Sequence, residues 1–277
     1  MPTRILALVA GLLAALPAPG QAPLWLERPE PGRWSFRAGG MVLATPAFPG
    51  SGQDRVLPLP VFAAVYDDRL VLGSSLVAVG AGAGLRLAGT PAFAWEVGLG
   101  LGERRPEARA EELAGLGDRQ GELFIGTGFR ARGGPFHASA SVAAGLVSGA
   151  GAKATVLGGF GGRIAERMTA GLSLSAVWAN AQNMAWDFGV SPEQAARRAK
   201  LMASGDPRLR PGEERAFAPG PGLKETALTA QAALHLDRRW QLFWVLRATA
   251  LQGDARQGPL VRRDRWASGG MGFTARF

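Results

Sequence analysis

The sequence contains no cysteine, which excludes a disulfide framework, thiolate zinc sites and thiol chemistry. A chain without cysteine also suits an oxidising compartment better than the cytosol. After the N-terminal segment, no uncharged apolar run reaches about 18 residues with helical character, so no transmembrane helix is predicted there. A protein of this kind is either exported and soluble or crosses a membrane as strands.

The sequence is rich in residues that interrupt helices. Its 40 glycines and 19 prolines are poor material for long helices and suit short strands separated by tight turns. Hydrophobic residues make up 47% and charged residues 19%, which argues against a disordered chain. The formal charge is +9 and the basic residues are nearly all arginine, so nucleic acid, anionic lipid and lipopolysaccharide phosphates are all permitted as partners.

The N-terminus has the pattern of a secretory signal. Arg4 supplies the positive start, and residues 5–16 form an apolar core that is too short to span a bilayer. Residues 18–20 offer small side chains for cleavage before Gln21. We therefore predict that residues 1–20 are a signal peptide and that the rest of the chain is exported.

Apolar and polar residues alternate with a period of two through most of the chain. In the stretch WQLFWVLRAT, one face carries Trp240, Leu242, Trp244, Leu246 and Ala248, and the other carries Gln241, Arg247 and Thr249. A β-sandwich and a β-barrel both show this alternation. Strands of about ten residues with aromatic side chains near their ends favour a barrel that crosses a bilayer, and the sandwich is the alternative.

The spacing of turn residues predicts twelve strands and their order. The predicted strands are 34–45, 55–66, 69–78, 81–89, 92–102, 121–132, 136–147, 153–163, 168–179, 224–236, 240–251 and 266–277. Short turns then lie on one side, and the longer loops 46–54, 103–120, 180–223 and 252–265 lie on the other. We predict an all-β antiparallel transmembrane barrel over residues 34–277, preceded by a periplasmic segment, 21–33. A ten-strand barrel with one pair displaced is the alternative, because residues 69–89 form either two short strands or a single one.

The chain ends on the alternating stretch MGFTARF, although chain ends are usually polar and frayed. In a barrel the last strand pairs with the first, which holds the terminus in place. Phe277 is then expected in the aromatic belt at the periplasmic interface. With Phe273, it also resembles the terminal signal that the outer-membrane barrel assembly machinery recognises.

One short helix is predicted inside the longest loop. Ser191 is a candidate N-cap, Pro192 suits the first helical position, and Gln194 completes a capping box.

Candidate chemistry is sparse. His137 and His235 are the two histidines, and both are expected on the lumen face. Ser139 or Ser141 near His137 permits a Ser–His lipid hydrolase, but no acid is placed to orient the imidazole. The Gly-rich stretch at 80–84 lacks the lysine and helix of a phosphate loop. We expect no catalytic residue, no metal site, no cofactor and no nucleic-acid partner.

Charged residues fall into two predicted groups. The first group is expected in the lumen, either as ion pairs that fill it or as a selectivity constriction. Its members are Arg37, Glu96, Glu122, Arg130, Arg247 and Arg276. Those expected in the loops, where they face lipopolysaccharide phosphates or solvent, are Arg197, Arg198, Arg208, Arg210, Arg262, Arg263 and Arg265.

Four stretches together resemble the MipA/OmpV family. They are PAFPGSGQDRVLPLPVFAAVYDDRL, LAGLGDRQGELFIGTGF, NMAWDFGVSPEQAARR and the long tail from GLKETALTAQ to QGPLV. The third is similar to the family's aromatic-Phe-Gly-Val-Ser motif, although Asp187 stands where the family often has tyrosine. The resemblance covers almost the whole chain after the signal.

The resemblance implies an outer-membrane barrel in a Gram-negative envelope. It also implies a non-enzymatic scaffold that assembles murein hydrolase and synthase enzymes, with outer-membrane lipid and lipopolysaccharide around it. The alternatives are a small channel or porin and the lumenal hydrolase. The candidate interaction segment consists of Asp187, Phe188, Gly189, Val190 and Ser191.

Overall fold

Twelve antiparallel strands close into one barrel. The computed structural model describes residues 32–67, 69–73, 81–90, 92–147 and 149–277. Each strand pairs with its neighbours in sequence, and the first strand pairs with the last. The strands are β1 (Trp34–Pro46), β2 (Asp54–Tyr66), β3 (Leu70–Gly73), β4 (Ala81–Gly89), β5 (Phe93–Leu101), β6 (Leu123–Gly133), β7 (Phe136–Gly145), β8 (Ala152–Ala165), β9 (Met168–Ala179), β10 (Gly222–His235), β11 (Trp240–Leu251) and β12 (Arg265–Arg276).

The prediction of a twelve-strand antiparallel barrel is therefore confirmed, and the ten-strand and sandwich alternatives are wrong. The division of 69–89 into two strands holds, although residues 74–80 lie outside the described residues. The predicted signal peptide and all but the last two residues of the predicted periplasmic segment also lie outside them.

The large apolar side chains point away from the barrel axis. Leu246 is 59% exposed, Phe160 52% and Leu174 61%, as the period-two pattern predicts for one face. Lipid is the medium that covers such a belt of apolar side chains around a closed barrel. The protein is therefore a membrane-spanning β-barrel of the outer-membrane type.

The two ends of the barrel differ. Turns of a few residues join β6 to β7 and β8 to β9 at one end, where both chain termini of the barrel also lie. Aromatic rings cluster on the outer wall at this end: Trp34 stacks on Phe36 at 5.4 Å, and Trp95 stacks on Phe129 at 5.9 Å. Short turns and an aromatic belt are typical of the periplasmic side, so the long loops face outward.

The C-terminus is held by the seam between β1 and β12, as predicted. The Phe277 N–H donates to the Phe36 carbonyl oxygen at 3.0 Å, and the Phe36 N–H donates back at 3.4 Å. The Arg239 guanidinium lies 4.6 Å from the centre of the Phe277 ring. The last residue therefore pairs as part of a closed sheet and lies in the periplasmic aromatic belt.

The longest loop contains two helices, so the prediction of one helix is wrong. The predicted helix is present as α2 (Pro192–Ala203), with both hydrogen bonds of the capping box between Ser191 and Gln194. The unpredicted helix is α1 (Ala181–Phe188), which begins where the Asn180 side chain accepts the Asn183 N–H at 2.9 Å. Within the described ranges, no helix is long and apolar enough to cross a membrane.

The long loops pack together as a cap over the outer end of the barrel. Four loops contribute to one apolar core of buried side chains, namely Ala47, Phe48, Ala110, Leu113, Leu116, Val190 and Leu260. A second core, which includes Met184 and Phe188 of α1 and Leu251 of β11, joins the cap to the barrel wall. The cap is therefore a folded layer that the barrel rim supports.

Candidate functional site

The middle of the lumen holds an apolar cluster. Met41, Leu43, Leu59, Ala233 and Phe243 pack together inside the barrel, and each is at most 6% exposed. Leu57, Val61 and Val245 flank them. A side chain this inaccessible leaves little space for water beside it, so the described part of the lumen is filled at this height.

The alternation in the sequence places apolar residues on the lipid face and polar ones, such as Gln241, Arg247 and Thr249, on the lumen face. This apolar cluster in the lumen corrects that assignment. Polar lumen side chains are present, and the buried ones include Thr155, Ser173, Ser175, Thr229, Gln231, Gln241 and Thr274. The apolar side chains occupy β1, β2, β10 and β11, on either side of the seam strand β12. Where side chains exclude water from the axis, an inward position no longer requires a polar residue.

The predicted lumen charges have partners inside the protein. The Arg37 guanidinium donates to Gln241 Oε1 at 2.9 Å, and Arg247 pairs with Glu225 at 3.0 Å. Glu96 is 2% exposed and lies opposite Arg86 in the pairing of β4 with β5. Arg130, Arg276 and Glu96 all have electrostatic or hydrogen-bond partners. This arrangement favours charged side chains that pair with one another and fill the lumen over a ring of charges around an open constriction.

The strongest charge cluster lies where the cap meets the lumen. Asp187, at the end of α1, accepts a hydrogen bond from Lys224 of β10 and another, of 3.1 Å, from Arg119 Nη2. Arg105 Nη1 donates to the Asp187 carbonyl oxygen at 2.8 Å. Lys224 Nζ also donates to Asn183 Oδ1 at 3.1 Å. One carboxylate thus joins helix α1, the β5–β6 loop and the barrel wall.

Electrostatics keep the Asp187 carboxylate of this cluster charged. Burial alone would raise the pKa of Asp187, but the positive charges of Lys224 and Arg119 outweigh it and hold that pKa below its ordinary value. Burial, with the repulsion of Arg119, lowers the pKa of Arg105 to about 9. Burial and the negative charge of Asp187 raise the pKa of Glu122, which immediately precedes β6. Asp187 therefore stays ionised at neutral pH.

The candidate interaction segment, residues 187–191, is mostly interior. Phe188 is fully buried, and Val190 pairs with Phe217 through two backbone hydrogen bonds of 2.9 Å. Gly189 follows the end of α1, and Ser191 caps α2 and is exposed. The segment is the joint between the two cap helices, and sequence reasoning did not anticipate its contact with the wall.

Two loop arginines hold the cap together from inside. Arg198 is fully buried and donates to the carbonyl oxygens of Glu213, Glu112 and Ala114 at 2.7, 2.7 and 2.9 Å. Arg262 pairs with Glu213 at 2.8 Å. Neither guanidinium faces the outside. The exposed members of the predicted loop group are Arg197, Arg208, Arg210 and Arg265.

The residues of the hypothetical Ser–His hydrolase, His137 and a nearby serine, do not form a catalytic pair in the described part of the chain. His137 lies on the inner face of β7, but in the described ranges no hydrogen bond joins it to Ser139 or Ser141. Nor does a carboxylate orient its ring there. Among the residues that the structure describes, no group of three or more His, Asp or Glu side chains could hold a metal ion. His137 therefore activates neither serine in the part of the chain that the structure describes.

A sequence model of the family described as MltA-interacting protein MipA matches residues 38–277. That range begins within β1, runs to the last residue and includes the other eleven strands and the cap. The chain belongs to the MipA family. This confirms the resemblance found in the sequence, and it places the protein among outer-membrane barrels. A comparison with curated proteins finds no significant match.

Solved structures with a similar fold are outer-membrane barrels. The MipA-family chain is similar to the COG4313 outer membrane channel from Pseudomonas putida F1, with 10% identity and a TM-score of 0.45 over 92% of this chain and 99% of that one. It is also similar to OmpT of Vibrio cholerae, with 6% identity and a TM-score of 0.36 over 88% and 97% of the two chains. Such distant similarity carries no inference about function.

Proposed function

We propose that this MipA-family barrel is a non-enzymatic scaffold that holds a murein enzyme at the periplasmic face of the outer membrane. The closed lumen is the observation that carries the proposal: an apolar cluster fills its middle, and a folded cap covers its outer end. A filled barrel leaves its end surfaces as the parts that act on other molecules. The family's description as an MltA-interacting protein supports a murein-related partner.

The short turns are the surface available to a periplasmic partner. Exposed arginines dominate these turns and the strand ends beside them, namely Arg33, Arg69, Arg132, Arg163, Arg167, Arg238 and Arg239. The acidic residues at the same turns include Glu166 and Asp237, and the Asp237 carboxylate accepts the backbone N–H groups of Arg239 and Trp240 at 2.7 Å. A basic surface of this kind favours association with an acidic patch on a partner protein.

We expect a photo-crosslinking amino acid at Arg132 or Arg238 to capture a periplasmic murein hydrolase or synthase in living cells. The matched control places the same amino acid at Arg197, which is exposed on the cap at the opposite end of the barrel. We expect no such product from the control position. Adducts with murein enzymes from position 197 alone, or from none of the three positions, would contradict the scaffold at the periplasmic face.

The interaction segment 187–191 then has a structural role. It lies at the capped end, across the membrane from the turns, so it cannot reach a periplasmic enzyme. We propose that it fixes the cap, while residues 1–20 direct export and the exposed rings of Phe273 and Phe277 serve assembly of the barrel. The exposed cap arginines remain available for lipopolysaccharide phosphates.

The filled lumen also makes a prediction about conductance. We expect the purified protein to give no stable single-channel steps in planar bilayers, because side chains such as Met41, Leu59 and Phe243 leave no continuous water path along the described lumen. A general porin inserted under the same conditions is the positive control. Reproducible steps of one size would favour the channel hypothesis over the scaffold.

A further inference from the structure

The inner wall of the barrel is basic at its periplasmic mouth. The arginines that face the lumen in this half come from strands spread around the barrel, and they are Arg37, Arg86, Arg130, Arg132, Arg163 and Arg276. Among the described strand residues of this half, Glu96 is the one carboxylate that faces inward, and it lies opposite Arg86. The turns carry charges of both signs, but the wall inside them does not. A cleft lined by one sign of charge concentrates ions of the other sign.

A gap in the inner wall lies beside this charge, on β6 to β9. Arg132 of β6 pairs with His137 of β7, and His137 pairs with Gly159 of β8. The imidazole lies over that glycine, because a Cβ atom on Gly159 would be 2.7 Å from His137 Nε2. Two residues further along β8, Gly161 pairs with Gly171 of β9. Neither strand therefore places a side chain over the lumen at this point.

Arg163 borders the gap on its periplasmic side. It lies two residues beyond Gly161 on the same face of β8, and it pairs with Thr169 of β9. Thr169 Oγ1 is buried and has no hydrogen-bond partner in the described part of the chain. Such an atom is rare in folded proteins and is one sign of a missing polar partner. Arg132 and Arg163 are both exposed, and within the described ranges no ion pair joins either of them to a carboxylate.

The spacing of the two arginines indicates the chemistry of the ligand. Neighbouring strands lie about 4.8 Å apart, so β6 and β8 are separated by roughly 10 Å. A short peptide that carries two carboxylates matches this spacing better than a single phosphate does, and each carboxylate suits a bidentate bond to a guanidinium. The gap leaves room for the peptide backbone, with His137 and Thr169 as hydrogen-bonding groups beside it. The apolar cluster fills the lumen beyond, so only the end of a chain enters.

We propose that this mouth site, formed by Arg132, His137, Gly161, Arg163 and Thr169, binds the carboxylate-bearing peptide stems of murein. One carboxylate lies at Arg132 and another at Arg163. Murein stems are short chain ends, whereas a folded partner presents an acidic patch that is too wide for the lumen. The inference rests on the proposed position of this end toward murein, but it requires no enzyme. Peptide binding and enzyme capture are measured separately, so the failure of one is distinguishable from the failure of the other.

Calorimetric titration of the detergent-solubilised barrel tests the mouth site with a soluble murein fragment, a disaccharide that carries one tetrapeptide stem. We expect the wild type to bind it at least tenfold more tightly than the same fragment with amidated carboxylates. Arg132→Gln/Arg163→Gln should lose that preference. Arg210→Gln/Arg265→Gln, which removes two exposed arginines at the capped end, should keep it. Equal binding of the two fragments by the wild type would overturn the proposal, and so would inorganic phosphate that binds as tightly as the fragment.

Two adjacent glycines test the gap itself. Gly161→Leu places a side chain on the lumen face, inside the gap, and should abolish binding of the murein fragment. Gly162→Leu places the same side chain on the outer wall, where a Cβ atom meets nothing within 4 Å, and should leave binding unchanged. Binding by Gly161→Leu equal to that of the wild type would overturn the proposal. If Gly161→Leu does not fold, the arginine variants still decide.

Discussion

Replacing Gly39 by alanine should prevent the barrel from closing at the seam between β1 and β12. A Cβ atom at this position would lie 2.8 Å from Thr274 Cα and still closer to the Phe273 carbonyl oxygen. Both atoms belong to the backbone of β12, so no side-chain rotation relieves the clash. We expect Gly39→Ala to lower the free energy of unfolding by more than the roughly 1–3 kcal/mol of ordinary overpacking, because the seam itself must open.

The neighbouring glycine is the matched control for this experiment. A Cβ atom at Gly40 would meet its nearest atoms at 3.8 Å, which is ordinary van der Waals contact. We expect Gly40→Ala to fold normally and Gly39→Ala to show little or no folded barrel on unheated electrophoresis gels. Equal folded fractions for the two variants would mean that the seam does not have the described geometry.

Replacing Asp187 by asparagine should release the cap from the barrel wall. Lys224 and Arg119 would then keep their charges in a partly buried place without the carboxylate. Breaking a buried ion pair costs about 3–5 kcal/mol, and we expect about 3 because the Asp187 side chain keeps 20% of its surface exposed. Hydrogen exchange should show this loss as faster opening of α1 and α2, with little change in the strands.

The same carboxylate predicts a pH dependence. The pKa of Asp187 is lower in the folded protein than in an unfolded chain, so its stabilisation is complete above the unfolded value of about 4 and is lost as the pH falls below it. Cap opening should therefore accelerate at acid pH in the wild type and much less in Asp187→Asn.

Asp206 supplies the control in the same loop. Its carboxylate pairs at 2.7 Å with Arg208, two residues away in the same turn, and this pairing holds its pKa at about 2. Asp206→Asn removes the same charge, but a pair with the 46% exposed Arg208 joins no separate elements and contributes little to stability, so cap opening should be unchanged at neutral pH. If the two variants behave alike, the Asp187 cluster does not hold the cap.

The strands could be predicted because the bilayer constrains them strongly. Outward residues must be apolar over the membrane thickness, so β9 and β11 show their period clearly in the sequence, and their predicted bounds match the observed ones. The seam could also be predicted, because an aromatic strand at the chain end needs a pairing partner.

The filling of the lumen could not be predicted in the same way. Phe243 and Val245 lie on the inner face of β11 between Gln241 and Arg247, so that face has no uniform polarity in the sequence. Whether an inward residue meets water depends on which side chains lie across the barrel, on strands far away in sequence. The local alternation of apolar and polar residues carries no information about which side chains lie across the barrel.

The cap was the least predictable part. Arg198 has the sequence context of a solvated helix charge, yet it is buried because it donates to the Glu112 carbonyl oxygen 86 residues earlier in the chain. Helix α1 is only eight residues long and begins at an asparagine cap without a capping box. Nothing in the sequence around Asp187 indicates its partner Lys224, which lies 37 residues later in β10.

Single-cysteine scanning of β11 tests the central claim that the apolar faces contact lipid around a closed and filled barrel. The chain has no cysteine of its own, so each label reports one position. With a nitroxide quencher on the lipid chains, we predict strong quenching of a fluorophore at Leu242, Trp244 and Leu246, and protection from labelling at Phe243 and Val245. Protection of the first set and labelling of the second would contradict the account.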